Sequence, residues 1–546
     1  MTRSGARMDE AAQDAVISFL SAPGSYAPAP SAVERIGTHG ALVFLAGGFA
    51  YKIKRAVRLP YLDFSTLERR RQALTRELEL NSRAAPELYL GLSAIVRRPD
   101  GTLAWRSESE AGESGAGAGA LAAGEVLDYV LVMRRFAQEQ LLDRMAVEGR
   151  LGEELMEPLA ARVVEDHARA PAHRECDPVP GFETIVANIS ATLSGAQSPI
   201  APAEVAVYSA AAREALRTAA PLMRERANHG LVRRCHGDLH LNNIVLLDNG
   251  PTLFDALEFD EKLATVDVLY CVAFLLMDLL RRGLNRHACS LFNQYLQGQV
   301  GLRHLDGLAL MPFFLSMRAG IRAMVAIDRK ASLTGAGAEP ADQEVRHYFD
   351  LAKRFLAPGP ARLIAVGGLS GTGKTTLARM LAPDLAPAPG AVHLRSDIER
   401  KIMYGWDPHE PLPEVAYSQK ISAHVYRRLG DKALRALKAG QSVIVDAVFA
   451  TSGERSDIAG QAHEAGVPFS GLWLAAPAEV LCERVAAREG DASDADVAVV
   501  RQQLTYDLGA IDWEVIDVDA GPETVCARAQ TALGLNAGSK NSSAGT

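Results

Sequence analysis

The spacing of apolar residues changes several times along the chain, and each change predicts a different kind of element. From residue 41, the apolar runs ALVFL and FAYKIK flank a Gly-Gly dipeptide, which is typical of a β-hairpin. A helix is predicted at about 67–85, where Glu, Arg and Leu dominate and Pro86 ends the pattern. The runs YLGLSAIVRR and VLDYVLVMRR then predict two more strands, with a flexible hairpin tip at 109–124 between them.

After Phe136 the pattern is mainly helical until about Lys330, apart from a break at 232–260. Residues 331–341 predict a linker, and the run Pro358-Gly359-Pro360 is the strongest boundary signal in the chain. Beyond it, strand patterns alternate with helical ones, which predicts a parallel sheet with helices on both faces. The chain is therefore expected to hold two unlike domains.

These patterns divide the chain into five predicted regions. They are a loosely held leader at 1–29 with a short helix near 9–20, a first domain at 30–340, a helix and Pro/Gly linker at 341–360, a second domain at 361–535 and a disordered polar tail at 536–546. A chain of 546 residues has room for these units, since domains typically contain about 100–200 residues.

Charge and cysteine content argue against several classes of protein. With 58 basic and 66 acidic residues the net charge is −8, which disfavours a general nucleic-acid coat or a polybasic membrane binder. The six cysteines are scattered and none forms a Cys-x-x-Cys pair, so a disulfide framework is not expected. The start of the chain lacks the apolar segment of a secretory signal, and the longest apolar run, 268–277, is too short to span a bilayer. We therefore predict a cytoplasmic protein without a membrane segment.

The strongest chemical motif is G-x-x-x-x-G-K-T at 368–375, between an apolar strand pattern and a helical one. Its glycines let backbone N–H groups turn towards phosphate oxygens, and the following helix N-terminus favours negative charge. Lys374 is expected to reach the β- and γ-phosphates, and the Thr375 hydroxyl is expected to bind Mg²⁺. The alternative is a chance match in a glycine-rich turn. The predicted nucleotide contacts are Gly368, Ser370, Gly371, Thr372, Gly373, Lys374, Thr375 and Thr376.

Three further segments of this domain carry candidate side chains. Asp446 ends the apolar run VIVD and suits a second Mg²⁺-binding position, although it could instead cap the next helix. Asp397 follows the strand pattern AVHLR, where a carboxylate could take the proton of an acceptor hydroxyl, and Arg400 could hold an anionic acceptor. The alternative for this pair is a helix cap with a surface arginine. Arg484 and Arg488, four residues apart, could close over the phosphates as a lid or simply be solvated.

The segments GLSGTGKTT, LRSDIERK, VIVDAVF and CERVAAREGDASDAD resemble the small P-loop kinases of the gluconate-kinase, zeta-toxin and polynucleotide 5′-kinase group. The resemblance covers about 361–535 and implies an AAA-like ATP-binding domain with kinase activity. In the polynucleotide kinases an Asp-x-x-Arg at this place supplies a general base and an acceptor contact. Asp397 and Arg400 match that spacing.

A second cluster lies in the segment CHGDLHLNNI, where Asp238 is followed by Asn243 five positions later. Phosphoryl transfer to a hydroxyl needs a carboxylate at the acceptor and a side-chain amide on the same loop that reaches Mg²⁺. Asp238 is therefore the predicted base, and Asn243 is a predicted Mg²⁺ ligand. Cys235, His236 and His240 could alternatively bind zinc, but no fourth ligand has a suitable spacing.

Segments on either side complete this second cluster. Asp255 ends the second strand of a predicted hairpin and is placed to be the principal Mg²⁺ ligand. Lys52 ends the first hairpin and Glu77 lies on the helix after it, an arrangement with which protein-kinase-like sites hold the α- and β-phosphates. Glu79 lies on the same charged helix and is the alternative to Glu77.

The segments YKIKRAVRLPYLDFSTLERR, RELELNSRAAPELYLGL, HGDLHLNNI and FDALEFD together resemble the aminoglycoside-phosphotransferase group of the protein-kinase-like fold. The match covers about 30–330. It implies a bilobal fold in which Asp238 is the base, Asn243 and Asp255 bind Mg²⁺, and Lys52 binds ATP.

The chain also departs from that group. The segment 37–40 is the candidate flap over the phosphates, without the usual glycine pattern, while the hinge against adenine is expected at 132–136. Cys271 stands where an aspartate that supports the catalytic loop is expected, and Asp267 could compensate in part. The acceptor region does not match the drug-binding segments of the resistance enzymes, so "aminoglycoside" is expected to name the fold group and not the substrate.

The predicted fold is a two-domain α/β and α+β protein: an N-terminal protein-kinase-like bilobal domain and a C-terminal P-loop domain with a parallel sheet flanked by helices. The predicted function is a bifunctional phosphotransferase that uses ATP and Mg²⁺ and phosphorylates hydroxyl acceptors. A nucleic acid enters this prediction only as a 5′-hydroxyl acceptor of the P-loop half. The alternative is an ATP-binding regulatory protein in which the P-loop half alone is catalytic. A ring-forming ATPase motor is disfavoured, because we find no sensor or arginine-finger segment.

Overall fold

The computed structural model describes residues 13–38, 40–59, 62–107, 124–299, 301–331, 338–407, 410–487 and 493–535. The predicted hairpin tip, apart from residue 124, and the predicted tail lie outside the described residues. The chain divides into two compact units. The first comprises the residues up to Ala172 together with Arg233–Val266, and the second comprises His173–Val232 and the chain from Asp267 onwards.

The secondary structure follows the predicted order, with additional short elements. The strands are β1 (Val33–Gly37), β2 (Ala41–Ala46), β3 (Phe49–Lys54), β4 (Arg58–Leu59), β5 (Leu62–Asp63), β6 (Tyr89–Arg97), β7 (Leu103–Ser107), β8 (Glu125–Arg134), β9 (Val232–Arg234), β10 (Ile244–Leu247), β11 (Gly250–Leu253), β12 (Thr265–Asp267), β13 (Leu363–Gly367), β14 (Val392–Arg395), β15 (Val443–Asp446), β16 (Phe469–Ala475) and β17 (Glu514–Asp517). The helices are α1 (residues 13–21), α2 (Leu67–Asn81), α3 (Leu142–Val147), α4 (Met156–Arg169), α5 (Val179–Leu193), α6 (Pro202–Asn228), α7 (Glu261–Ala264), α8 (Val268–Arg281), α9 (Asn285–Gln297), α10 (Arg303–Asp306), α11 (Met311–Ala331), α12 (Ala338–Leu356), α13 (Lys374–Leu381), α14 (Ser396–Tyr404), α15 (Gln419–Lys438), α16 (Ser452–Ala465), α17 (Ala478–Ala486), α18 (Val497–Gln503) and α19 (Pro522–Ala532).

The first unit is organised around an antiparallel sheet with the strand order β1-β2-β3-β8-β6-β7. The predicted Gly-Gly hairpin is present, because Ala46 pairs with Phe49 and leaves Gly47 and Gly48 as a two-residue turn. Gly47 has a φ of 59°, a left-handed conformation that glycine adopts without steric cost. The outer strands β1 and β7 extend the sheet beyond the strands that the pattern predicted.

The described part of the predicted leader, from residue 13 onwards, packs against this unit. The Gln13 side-chain amide donates to the Lys54 carbonyl and to Asp128 Oδ2, both at 2.8 Å. Its oxygen accepts a 2.7 Å hydrogen bond from the Ala56 N–H. The apolar side chains of this segment that are buried in the core of the sheet are Val16, Leu20 and Tyr26. Burial of these groups offsets the entropy of ordering the segment.

The second unit contains a five-stranded sheet with the order β14-β15-β13-β16-β17, and each neighbouring pair is parallel. The strands β13, β14 and β15 are buried at every residue, as expected where helices cover both faces of a sheet, whereas the edge strand β17 is mostly exposed. Core residues that it shares with the helices include Ile364, Val366, Ile444, Leu472 and Leu474. The predicted fold class is confirmed for both halves of the chain.

The predicted linker helix is also part of the second unit and not a free connection. α12 packs along α11, with the Ser316 hydroxyl donating a 2.9 Å hydrogen bond to the Ala352 carbonyl. The rings of Tyr208 and Phe349 meet edge to face at 5.4 Å. The adjoining span Arg303–Lys330 is long and apolar enough to cross a membrane by length and composition, but 72% of its apolar window is buried inside the protein.

Within the second unit, α9 is attached to the edge strand β14 by one asparagine. The Asn293 amide donates a 3.0 Å hydrogen bond to the Ala391 carbonyl, and its oxygen accepts a 2.7 Å bond from the His393 N–H. Cys289, one helical turn earlier, belongs to the core of the parallel sheet. The helical layer therefore groups with the P-loop region, while the predicted domain limits of 30–340 and 361–535 stay a prediction.

Candidate active sites

The first candidate site, in the first unit, forms around Lys52 on β3. Its Nζ lies 2.7 Å from Glu77 Oε1 on α2 and 2.7 Å from Asp255 Oδ1. Glu77 is fully buried, whereas Glu79 is exposed and contacts Arg76 on its own helix. The geometry therefore favours Glu77 over Glu79 as the partner of the lysine.

A second lysine, which sequence reasoning passed over, enters the same cluster. Side chains alternate along a strand, so Lys54 shares a face with Lys52 while Ile53 is buried on the other. Lys54 Nζ lies 2.6 Å from Glu77 Oε2 and 2.6 Å from Glu258 Oε1. The site thus contains two lysines that share one glutamate.

The backbone at Asp255 adopts a conformation that few non-glycine residues show. Its φ is 60°, in the left-handed region. The Asp255 N–H donates a 3.0 Å hydrogen bond to the Tyr89 hydroxyl, and the Ala256 N–H donates a 2.8 Å bond to Asn81 Oδ1. Such strain persists only where the surroundings hold it, and it is frequent at functional sites.

Lys52 and Asp255 in this cluster stabilise each other's ionised forms. Burial opposes the charge on Lys52, yet the carboxylates of Asp255 and Glu77 hold its pKa well above the usual range. Burial also opposes ionisation of Asp255, but the charge and the hydrogen bond of Lys52 lower its pKa. Burial raises the pKa of Glu258, with Lys54 acting in the opposite direction. At neutral pH the cluster therefore offers a cation suited to phosphate and an anionic oxygen suited to Mg²⁺.

The predicted base and its amide lie together on the loop before β10. Asn243 Nδ2 donates hydrogen bonds to Asp238 Oδ2 at 3.1 Å and to the Asp238 carbonyl at 2.9 Å. His236 Nε2 lies 2.9 Å from the Phe254 carbonyl, which fixes the loop beside the end of β11. His240 Nε2 lies 3.4 Å from Asp238 Oδ2. The two histidines have separate partners, which speaks against the zinc alternative.

Further parts of this half fall where the resemblance implies. The candidate flap joins β1 to β2, although His39 at its tip lies outside the described residues. The predicted hinge begins in β8 and continues to Phe136, and the Arg135 N–H donates to the Gly48 carbonyl at 2.9 Å. The roles of these segments as flap and hinge stay predictions.

Asp267, considered as a substitute for the missing aspartate at Cys271, is already engaged. Its two carboxylate oxygens accept 2.8 and 2.7 Å hydrogen bonds from Arg226, and one of them also caps α8 at the Leu269 N–H. Cys271 itself is fully buried in α8. Asp267 therefore serves a structural ion pair and the start of a helix.

The second candidate site is the phosphate loop in the second unit. Gly368, Gly371 and Gly373 have φ values of 137°, 87° and 85°, which side chains rarely tolerate. The loop follows β13 and opens α13, whose first residue is Lys374. Lys374 Nζ donates a 3.1 Å hydrogen bond to the Leu369 carbonyl, so its ammonium group folds back over the loop.

The remaining loop residues have different surroundings. The Ser370 N–H donates a 2.8 Å hydrogen bond to Gln503 Oε1 on α18, which ties the loop to that helix. The Thr372 hydroxyl donates to the Leu369 carbonyl at 2.8 Å, and Thr376 is exposed on the first turn of α13. Thr372 therefore shapes the loop, while Thr376 stays accessible.

Asp446 at the end of β15 lies beside the predicted metal-binding hydroxyl. The Thr375 hydroxyl donates a 2.5 Å hydrogen bond to Asp446 Oδ2, and His393 Nε2 lies 3.5 Å from the same oxygen. Burial opposes the charge on Asp446, but His393 and nearby cations lower its pKa to about 2. The next helix is capped by Thr451, so the capping alternative for Asp446 is wrong. Two oxygens of the kind that Mg²⁺ prefers are thus adjacent.

Asp397 and Arg400 lie on α14, and their surroundings do not match the alternative of a helix cap with a surface arginine. Asp397 is inside the helix and makes no capping bond, while burial and the Asp446 charge raise its pKa. Arg400 is buried and not on the surface. Its Nη1 donates a 2.6 Å hydrogen bond to the Ala416 carbonyl, and its guanidinium lies 4.8 Å from the Tyr417 ring centroid. Arg400 therefore holds the chain that follows α14.

Of the two proposed lid arginines, the described residues include Arg484 alone. Arg484 is exposed on α17, and its Nη2 donates a 2.9 Å hydrogen bond to the Val518 carbonyl. Arg488 lies outside the described residues. Asp494, just after this segment, accepts hydrogen bonds from Lys401 Nζ at 3.0 Å and from the Leu412 N–H at 2.9 Å, which ties the segment to α14 and the chain that follows it.

Sequence reasoning therefore missed several residues that the fold brings into the two sites. Side chains alternate along β3, so the sequence could have placed Lys54 on the same face as Lys52. Glu258 could have been considered because it follows Asp255 by only three residues. His393, Gln503 and Asp494 carried no local signal, because their partners are distant in sequence.

Comparison with known proteins identifies a recognised domain in the C-terminal part of the chain. The family described as an AAA domain matches residues 363–506. Mb2027c of Mycobacterium bovis and MT2060 and Rv2004c of Mycobacterium tuberculosis, named as uncharacterized proteins, are each 31% identical over 489 residues, or 86% of this chain and 90% of theirs. The chain belongs to the family of these mycobacterial proteins. An adenylyl-sulfate kinase of Myxococcus xanthus is 30% identical over 118 residues, covering 21% of this family member and 59% of the kinase.

Solved structures of kinases each cover part of this chain. A sugar kinase from Janibacter sp. HTCC2649 is 26% identical and covers 32% of this chain and 96% of its own, with a TM-score of 0.25. A choline/ethanolamine kinase family protein from Mesorhizobium loti is 14% identical and covers 63% of this chain and 98% of its own, with a TM-score of 0.36. An aminoglycoside 2′-phosphotransferase-IIIa mutant is 14% identical over 59% of this chain and 92% of its own, with a TM-score of 0.35. The family match and the similarity to the adenylyl-sulfate kinase agree with the predicted P-loop kinase domain in the C-terminal half.

Proposed function

We propose that the protein is a bifunctional ATP-dependent phosphotransferase with one catalytic centre in each candidate site. The observation that carries this proposal is that each site brings together a lysine, side-chain oxygens of the kind that Mg²⁺ prefers and a further carboxylate. The two sets are Lys52, Asn243, Asp255 and Asp238 in the first site, and Lys374, Thr375, Asp446 and Asp397 in the second.

In the first site, Lys52 binds the α- and β-phosphates while Glu77 fixes its direction. Asn243 and Asp255 would hold Mg²⁺, which would neutralise phosphate charge. Asp238 accepts the proton of the acceptor hydroxyl as the oxygen attacks the γ-phosphoryl group, and the amide of Asn243 orients that carboxylate.

In the second site, backbone N–H groups of the glycine-rich loop surround the phosphates and Lys374 neutralises their charge. Thr375 and Asp446 would hold Mg²⁺. Asp397 accepts the acceptor proton, and its raised pKa makes it a stronger base than an exposed aspartate. Arg400 can contact an anionic acceptor only if the acceptor displaces the Ala416 carbonyl from its guanidinium. Arg484 can close over the phosphates only if its hydrogen bond to the Val518 carbonyl breaks.

The acceptor of each centre is proposed as a hydroxyl-bearing molecule, and a 5′-hydroxyl nucleic-acid end is considered for the P-loop centre alone. A suitable test incubates the full chain with labelled ATP, Mg²⁺ and sugars, aminoglycosides, nucleosides, adenylyl sulfate or 5′-hydroxyl oligonucleotides. Lys52→Met and Lys374→Ala variants are run in parallel. We expect each variant to lose a different labelled product. If one variant lost every product and the other lost none, the proposal of two catalytic centres would be contradicted.

A second candidate function is an ATP-binding regulatory protein in which only the P-loop half transfers phosphate. Cys271 at the expected aspartate position favours it, because Asp267 is already bound to Arg226. Under this alternative the Lys52→Met variant keeps every labelled product. We propose the cytoplasm as the place of action, in keeping with the scattered cysteines.

Replacing Asp397 by asparagine is expected to lower turnover of the P-loop centre by about 10²–10⁴-fold, because a positioned base typically contributes that factor. Affinity for ATP should stay near the wild-type value, since the nucleotide contacts lie on the phosphate loop. Steady-state kinetics with the best acceptor measure both quantities. Asp431→Asn, an exposed change on α15, is the matched control. Wild-type turnover in Asp397→Asn would remove Asp397 from the mechanism.

A further inference from the structure

The ion cluster of the first site has an outer and an inner part. The outer pair is Lys52 and Asp255, whose side chains are 12% and 42% exposed. The inner pair is Lys54 and Glu258, whose side chains are 4% and 8% exposed. The outer pair is therefore accessible to a ligand, whereas the inner pair lies behind it.

Glu77 connects the two pairs, because each of its oxygens is used by a different lysine. Oε1 lies 2.7 Å from Lys52 Nζ and Oε2 lies 2.6 Å from Lys54 Nζ. Without Lys54, a single lysine would face both oxygens and would be drawn towards Glu77. The inner lysine thus keeps Lys52 shared between Glu77 and Asp255, in the place where it faces the phosphates.

The inner pair also holds the segment that carries the metal-binding carboxylate. Asp255 has a left-handed backbone, and the chain next to it is fastened by Tyr89 and Asn81. The contact of Glu258 with Lys54 fastens the same segment three residues further on. Loss of this contact would release one of the restraints that maintain the strained backbone.

Charge balance gives the inner pair a further effect. The cluster holds two lysines and three carboxylates, Glu77, Asp255 and Glu258, for a formal charge of −1. Removing Lys54 alone makes it −2, which repels the phosphates of ATP. Removing the whole inner pair restores −1 but not the positioning, so charge and positioning can be separated by experiment.

We propose that Lys54 and Glu258 are positioning residues of the first site, which orient Lys52 and Asp255 for a magnesium-bound nucleoside triphosphate without touching it. This inference rests on the proposed function of that site. Outer-shell partners of a metal site typically contribute about 10–100-fold to affinity or activity, and the inner pair is expected to have an effect of that size.

The test uses the full chain in a Lys374→Ala background and measures binding of ATP with Mg²⁺ by calorimetry. Heat that disappears on a further Asp255→Ala change defines the first site. Lys54→Met, Glu258→Gln and the double variant Lys54→Met/Glu258→Met are then compared on that heat. Lys262→Met, an exposed lysine on α7, is the control. Adenosine, which has no phosphates, is titrated in parallel.

We expect the double variant to keep the wild-type thermal midpoint, because replacing a buried ion pair by apolar side chains is often neutral or stabilising. Its affinity for ATP with Mg²⁺ should still fall by about 10–100-fold, while that for adenosine is unchanged. Lys54→Arg should recover most of the affinity, since it keeps the charge and the hydrogen bonds.

Three outcomes would overturn the inference. Wild-type affinity for ATP with Mg²⁺ in the double variant shows that the pair only balances charge. Equal loss of adenosine and ATP binding shows a general structural role. Absence of any Asp255-dependent heat in the background variant overturns the proposed function itself, and the positioning role with it; that result differs from the first two because it does not depend on Lys54 or Glu258.

Discussion

Replacing Asp255 by alanine is expected to abolish magnesium-dependent binding of ATP at the first site, whereas Asp238→Asn should keep binding and lose transfer. The two carboxylates differ in their surroundings. Asp255 lies 2.7 Å from Lys52 and is held ionised by it, while Asp238 is bonded to the amide of Asn243. The first arrangement suits a metal and phosphates, and the second suits an acceptor proton.

The size of the two effects follows from these roles. Loss of a direct metal ligand should weaken ATP binding by more than the roughly 10–100-fold typical of an outer-shell partner. Loss of the base should lower turnover by about 10²–10⁴-fold at nearly constant affinity. Calorimetry gives the first number, and transfer of labelled phosphate to the best acceptor gives the second.

The full chain is the suitable material for both measurements. A fragment ending at residue 340 would lack most of α12, which packs against α11. In α12, the Ala352 carbonyl accepts a hydrogen bond from the Ser316 hydroxyl of α11. Asp248→Asn, in the turn between β10 and β11, serves as the exposed-loop control. If Asp255→Ala and Asp238→Asn lost ATP binding to the same extent, the separation of their roles would be refuted.

Much of the fold was predictable because its signals are local. The Gly47-Gly48 turn between two apolar runs specifies the first hairpin, and three glycines with positive φ specify the phosphate loop. The alternation of strands and helices after residue 360 follows from hydrophobic period alone. Each of these features is determined by neighbours in sequence, so a single sequence reveals it.

The features that sequence reasoning missed depend on partners far along the chain. Gln13 holds its segment through Lys54 and Asp128, more than 100 residues away in the second case, so the segment reads as a loose leader when seen alone. Glu258 can be recognised as a site residue only from the fold, which brings Lys54 on β3 into contact with it. Arg400 has the spacing of an acceptor contact, but its guanidinium donates a hydrogen bond to the Ala416 carbonyl.

Replacing Lys374 by alanine is expected to abolish transfer by the P-loop centre while the first site stays active. The phosphate loop itself should survive, because its positive-φ glycines and the Thr375–Asp446 hydrogen bond do not involve this side chain. Lys374 is only half-buried, so its removal creates no large cavity. The change therefore removes a cation from the phosphates more than it alters the fold.

The expected loss is at least about 10²–10³-fold in turnover, the usual effect of removing one preorganised group that stabilises developing charge. The measurement is transfer of labelled phosphate by the full chain in a Lys52→Met background, which silences the first site. A fragment beginning at residue 357 would lack Cys289 and Asn293, which pack into the parallel sheet and bond to β14. Lys420→Ala, an exposed change on α15, is the matched control, and a thermal midpoint within a few degrees of the parent checks the fold. Undiminished transfer in the doubly substituted chain would place the chemistry outside the phosphate loop.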